Sequence, residues 1–369
     1  MSHLNSQSIL CIKPNWFGTG LCNQLFFIIS AIIIAHQKKI GIVCFDNFLL
    51  EPLTEKQIRV GKIIDLEQLN RFCQKYNVSL CEKNDMVFKL CQVMYGNEEN
   101  YLDITEIIKE KFVSNNQLLI PAGTILNDLA GDPCPNVLKT LMIEFLFNGK
   151  KYIEIHPEYL WTSIDVAHFH SFQNWHDVDI NTHDPKMFNE LLQMIQFHPK
   201  YQIYIDNVLK IPSDKKINVI HIRLENDMTG HMAKENKMDL DTYRSSLESV
   251  YIQGIQQYFS KKDLILVLSF DFNNKVVEYL KKEGYSYFTT PKNFFNGREQ
   301  HAIVDLLIGE MCTGTFIGNW NHSRNVGSTY SYVLGKRIKD PNAKQVYVDM
   351  YDISSKPKEF GLEDQALCK

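Results

Sequence analysis

The sequence carries no basic block longer than two or three residues, and its 39 lysines and arginines are outweighed by 43 aspartates and glutamates, for a net charge of -4. Nucleic-acid binding rests on concentrated positive charge, so neither DNA nor RNA is expected as a partner. A membrane-spanning helix needs roughly 20 apolar residues. The strongest apolar run, over 25–35, is too short and reads as a buried helix. None of the nine cysteines stands in a C-x-x-C pair, and their odd number argues against a disulfide framework. They read as reduced, mostly buried thiols in a reducing compartment. Residues 1–7 are polar with no cationic stretch ahead of an apolar one, so no secretory signal is expected. Repeats, heptads and low-complexity tracts are missing, which leaves an ordinary packed globular protein.

The 369 residues suffice for about two domains. A short apolar strand over 8–13, a glycine-containing loop, a helix over 21–38 and a second strand over 40–45 form the opening of a βαβ unit. Between 51 and 211 the signal is mixed, with helices over 65–76, 185–195 and 201–209. The turn at 211–216 is the domain boundary. Beyond it strands over 217–223, 264–269, 285–288, 315–317 and 345–349 alternate with helices over 241–259, 274–283, 299–311 and one starting near 328. That alternation predicts a doubly wound parallel sheet. Two α/β domains, 1–211 and 212–369, are expected to face each other across a cleft that holds the ligand.

Three segments carry candidate chemistry. Gly18-Thr-Gly20-Leu-Cys-Asn23-Gln24 joins a strand to a helix, where backbone N–H groups and the helix N-terminus favour an anion. It is similar to the dinucleotide fingerprint, with Asp46 where a ribose-binding acid would stand, but Asn23 replaces the third glycine. His221 and Arg223 lie two apart near the end of a strand and so share a face, with Glu225 and Asp227 in the loop that follows. An arginine there suits a diphosphate, and either acid is placed to accept a proton. The third segment runs from Asp305 through Phe316-Ile-Gly318-Asn319 to Gly327-Ser328-Thr329, a strand, polar loop and hydroxyl-rich helix start. It has the makings of an anion cradle, or of a simple helix cap. His168, His170, His176 and His183 cluster in sequence without the spacing of a recognised zinc site, so no metal is expected. Trp161, Trp175 and Tyr159 would suit stacking on a sugar or base, or core packing.

In this order the three segments resemble the motifs of the fucosyltransferase superfamily that includes the α1,2-, α1,6- and protein O-fucosyltransferases. The resemblance rests on Gly20 with Asn23-Gln24, His221-Ile-Arg223, and Phe316-Ile-Gly-Asn319 with Ser328-Thr329. It implies a GT-B-like fold of two Rossmann-like domains, with the acceptor on the 1–211 side and the donor on the 212–369 side. It further implies inverting, metal-independent transfer of fucose from GDP-fucose to a glycan or protein hydroxyl. Arg223 would hold the diphosphate, and Asp305, Asn319, Gly327, Ser328 and Thr329 would contact the nucleotide. Asn226 stands where the motif has aspartate, and Leu224 where many members have a second arginine. In lacking an expected signal or anchor the chain is similar to the soluble bacterial-type or large-virus members, which places it in the cytoplasm. An NAD(P)-dependent oxidoreductase built on the first βαβ unit, and a non-catalytic nucleotide-sugar or glycan-binding protein, are the alternatives.

Overall fold

The computed structural model describes residues 9–12, 20–51, 56–82, 87–97, 100–114, 117–135, 137–147, 149–157, 164–166, 184–208, 215–291, 295, 297–324 and 326–360. By contacts the chain forms two units. The first comprises Met1–Lys13, Ala31–Asn47 and Asn70–Gln173, and the second Pro14–Ser30, Phe48–Leu69 and Asn174–Lys369. The grouping does not coincide with the segments 1–211 and 212–369, because the N-terminal turns of the first helix, Phe48–Leu69 and the described residues 184–208 cluster with the C-terminal sheet.

In the first unit β1 (Ile9–Ile12), β2 (Ile42–Phe45) and β3 (Ser79–Glu82) form a parallel sheet with β2 in the centre. The expected βαβ opening is therefore present. Helix α1 (Leu21–Gln37), whose residues fall in both units, supplies its crossover. Over Leu25–Ala35 every residue but Ser30 is apolar and every one but Ile34 is buried, as a stretch with no polar face must be. The 51–211 stretch also holds what the sequence did not reveal, an antiparallel sheet. Here β4 (Phe88–Gly96), β5 (Tyr101–Asp103), β6 (Thr140–Phe147) and β7 (Lys150–Pro157) are ordered β7-β6-β4-β5. Along β6 buried and half-buried residues alternate, so Leu141, Ile143, Phe145 and Phe147 enter a core with Val93, Tyr95, Ile104 and Ile108.

The second unit is built on β8 (Ile217–Ile222), β9 (Leu264–Ser269), β10 (Ser286–Thr289), β11 (Thr315–Gly318), β12 (Lys344–Tyr347) and β13 (Lys358–Glu359). The order is β10-β9-β8-β11-β12-β13, parallel except for β13 at the edge. Strands β8 and β9 are buried on both faces, which is why they read as continuous apolar runs rather than alternating ones. The helices α2 (Pro185–Met194), α3 (Pro199–Val208), α4 (Asn226–Glu235), α5 (Leu240–Tyr258), α6 (Arg298–Gly309) and α7 (Thr329–Arg337) surround it. On one face Ile220 and Ile222 of β8 pack with Met232 of α4 and Tyr243, Leu247 and Tyr251 of α5. On the other, Phe26 of α1 meets Phe188 of α2 and Tyr332 of α7 edge to face, with ring centroids 5.3 and 6.0 Å apart.

Helix α4 corrects one expectation. Glu225 and Asp227 do not lie in a loop: Glu225 is the N-cap of α4 and Asp227 stands in its first turn. The ten residues of α4 include Gly230 and bury fully only Thr229, Met232 and Ala233 among those described, too little apolar periodicity to betray a helix.

Candidate functional site

In an open parallel sheet a ligand crevice forms where the chain leaves neighbouring strands in opposite directions. From β8 the chain proceeds to β9 and β10 on one side, and from β11 to β12 on the other, so the switch point lies between the carboxyl ends of β8 and β11. There the second unit holds a cavity of about 360 Å³. Its lining includes His221 and Arg223 after β8, Ser269 and Phe270 after β9, residues 327–330 after β11, the start of α6, and Gly20 to Asn23 at the start of α1. All three sequence segments reach this one cavity.

Alternation along β8 puts His221 and Arg223 on the face opposite Ile220 and Ile222. His221 is buried, its Nδ1 2.7 Å from the Ser331 hydroxyl and its ring 4.6 Å from that of Tyr330. Burial, with the nearby Arg223 charge second, pushes its pKa down to about 3, so the ring is neutral at physiological pH. The Arg223 backbone N–H donates to the Tyr251 hydroxyl at 3.2 Å. Its Nε lies 3.3 Å from Glu225 Oε2, and the two side chains are 19% and 17% exposed. The guanidinium is thus ion-paired with the N-cap acid of α4 while it lines the same cavity as residues 327–330. Nε and Oε2 approach without hydrogen-bond geometry, so the pair is an electrostatic contact.

The tip of α7 lines the same cavity as Arg223. Gly327 has φ +137°, and a Cβ there would approach the Asn319 carbonyl oxygen to 2.8 Å, so a side chain is excluded on both counts. Ser328 is the N-cap, its hydroxyl accepting from the Ser331 N–H. The third segment is therefore a capped helix start, and the first-turn N–H groups at Thr329 and Tyr330 are those a helix leaves without partners of its own. Asn319 is fully buried behind this tip: its backbone N–H donates to Ser331 Oγ at 3.0 Å and its amide to the Tyr251 hydroxyl.

The third wall joins α1 to α6. Glu299, in the first turn of α6, accepts the backbone N–H of Leu21, the first residue of α1. Its side chain is 3% exposed, its Oε1 makes no hydrogen bond, and Arg298 Nε stands 4.0 Å from that oxygen. Burial raises its pKa to about 7 against the opposing pull of Arg298, the Leu21 N–H and Arg223. The α6 N-terminus has carriers of its own, since Glu51 accepts the Arg298 N–H at 2.7 Å and the Leu50 carbonyl that of Glu299 at 3.0 Å. Gln24 faces away into the packing, its amide donating to the Leu49 carbonyl at 3.0 Å and accepting the Leu49 N–H at 2.8 Å.

Of the residues singled out in the sequence, Gly20, Asn23, His221, Arg223, Glu225, Asp305, Gly327, Ser328 and Thr329 line the cavity, whereas Gln24 and Asn319 support it from behind. Gly18, the side chain of Asp227, the four histidines His168, His170, His176 and His183, and Tyr159, Trp161 and Trp175 lie outside the described residues. Asp46 follows β2 in the first unit, where it accepts the Asn47 N–H. Among the described residues no cluster of His, Cys, Asp or Glu is arranged to hold a metal ion, and no helix is long and apolar enough to cross a membrane. Sequence reading missed Arg298, Glu299, His301 and Phe270. The pair of charges after Gly297 signals a helix start, but nothing local ties it to Leu21.

No protein-family model matches the chain, and no curated protein does. Solved structures to which it is similar include the NodZ α-1,6-fucosyltransferase co-crystallised with GDP, at 10% identity, covering 96% of this chain and 98% of that one with a TM-score of 0.48. NodZ from Bradyrhizobium is similar at 9% identity, 96% and 98% coverage and a TM-score of 0.45. POFUT1 in complex with GDP is similar at 10% identity, 94% and 99% coverage and a TM-score of 0.49. These structural neighbours are fucosyltransferases, the family that the sequence motifs resemble.

Proposed function

We propose that the protein is a metal-independent, inverting glycosyltransferase of GT-B type whose donor is a nucleoside-diphosphate sugar, GDP-fucose by the motif resemblance. The observation that carries this reading is the placement of Arg223 and the α7 tip on one cavity at the switch point of a parallel sheet. A guanidinium and a set of helix N-terminal N–H groups are both complementary to a diphosphate.

In the proposed reaction an acceptor hydroxyl attacks the anomeric carbon on the face opposite the diphosphate. The bond from that carbon to the phosphate oxygen breaks, and Arg223 with the N–H groups of Thr329 and Tyr330 stabilises the charge that develops on the leaving group. Neutral His221, backed by Ser331, is available to hydrogen-bond a phosphate or ribose oxygen without titrating. Glu225 orients Arg223 in this scheme, and Asp305 contacts the nucleoside. The acceptor, a glycan or glycoprotein hydroxyl, is assigned to the N-terminal segment.

A ligand panel tests the reading. GDP or another nucleoside diphosphate is expected to raise Tm by several degrees and NADH to leave it unchanged, and GDP-fucose is expected to be turned over. A shift with NADH alone supports the oxidoreductase instead, and binding without turnover the non-catalytic glycan or nucleotide-sugar binder.

A further inference from the structure

The cavity has two kinds of wall. The Arg223 and α7 side presents donors and positive charge, which a diphosphate needs. The α1 and α6 side presents acceptors. Glu299 Oε1 and Asn23 Oδ1 both line the cavity, both are buried, and neither has a hydrogen-bond partner. A buried acceptor left unsatisfied is costly, and the group that satisfies it must bring a hydrogen. The α1 N-terminus, where a phosphate would conventionally sit, is already closed by the carboxylate of Glu299 on Leu21. A diphosphate placed there would meet a negative charge in a poorly hydrated site.

We propose that Glu299 is the proton acceptor of the transfer reaction, and that the Glu299 and Asn23 wall is the subsite for the attacking hydroxyl. This rests on the glycosyltransferase reading. In the step, the acceptor O–H proton passes to Glu299 Oε1 as its oxygen bonds the anomeric carbon, and the electron pair of the broken sugar–phosphate bond leaves on the diphosphate. The Leu21 N–H on Oε2 orients the carboxylate so that Oε1 faces the cavity. Arg298 on its own helix, Glu51 in the segment after Leu50, Arg223 just past β8, and Cys22 and Tyr330 on α1 and α7 are ionisable groups around it. Burial, partly offset by Arg298, the Leu21 N–H and Arg223, brings its pKa up to about 7, where a general base is most effective.

The test uses the full chain as wild type, Glu299→Gln and Glu299→Asp, with GDP binding by calorimetry and GDP release from GDP-fucose over pH 5.5–8.5. Wild-type kcat is expected to rise with pH through an inflection near 7. Glu299→Gln, whose amide oxygen still accepts the Leu21 N–H, is expected to bind GDP within about threefold of wild type at pH 6. It should lose about 10²- to 10⁴-fold in release, together with the inflection. Glu299→Asp should recover part of the rate. Release by Glu299→Gln within fivefold of wild type overturns the proposal, as does a flat wild-type profile, which decides the matter even if the variant does not fold. Wild type that binds no nucleoside diphosphate overturns the functional reading and this base with it. Wild type that binds GDP yet releases none from GDP-fucose overturns the base.

Discussion

The carboxylate of Glu299 accepts the backbone N–H of Leu21, so the first turn of one helix is capped by a side chain 278 positions away. That bond fixes two walls of the cavity relative to each other. It also determines which group sits at the glycine turn: the protein's own carboxyl.

Arg223 is expected to dominate nucleotide affinity. Arg223→Ala removes a charge-assisted contact and leaves Glu225 without the 3.3 Å ion pair, so GDP binding should weaken by about 2–5 kcal/mol, or 30-fold and more. Arg223→Lys keeps the charge and loses the fork, and should fall between. Calorimetric affinities for Arg223→Ala within threefold of wild type would remove the diphosphate from this position.

His221 should make the fold acid-sensitive. Its folded pKa is depressed to about 3 against an ordinary 6.5, so below pH 6.5 the unfolded chain binds a proton that the folded one refuses. Stability is fully present above 6.5 and is lost on acidification, by about 2 kcal/mol between pH 6.5 and 5. His221→Gln should flatten that part of the Tm profile, and an unchanged slope would show that the ring is charged in the fold.

Glu299 should act in the opposite sense. Its folded pKa is raised from 4.5 to about 7, so between these values the unfolded chain releases a proton that the folded chain keeps. Stability is lost as pH rises through this window, by about 3 kcal/mol, and is then constant. The Tm of Glu299→Gln relative to wild type should therefore improve from pH 5 to pH 8, and a constant difference counts against a buried neutral carboxyl.

Gly327→Ala forces a Cβ to within 2.8 Å of the Asn319 carbonyl oxygen at φ +137°. Destabilisation of about 1–3 kcal/mol is expected, with weaker GDP binding because Ser328 and the α7 tip shift together. Urea denaturation measures the first and calorimetry the second; a variant as stable as wild type would mean the turn adopts another conformation.

Gln24→Leu deletes both bonds to the Leu49 backbone and strands a buried N–H and C=O. Stability should fall by about 2–4 kcal/mol while GDP affinity, measured below the melting range, stays within a few-fold. A selective loss of GDP affinity at unchanged Tm would make Gln24 a ligand contact after all.

The sequence determined the parallel sheet of the second unit nearly strand by strand, because β8, β9 and β11 are short apolar runs bounded by turns and separated by helices of ordinary length. It determined that His221 and Arg223 share a face, since that follows from a period of two. Local reading placed Ser328 at a helix start for the same reason: the capping oxygen and the N–H it accepts lie three residues apart. Tertiary structure alone decided the rest. The antiparallel sheet of the first unit depends on pairings such as Met142 with Met94, which no local pattern specifies. The inward turn of Gln24 and the meeting of Glu299 with Leu21 are contacts between side chains and groups whose positions exist only once the sheet and its helices have packed.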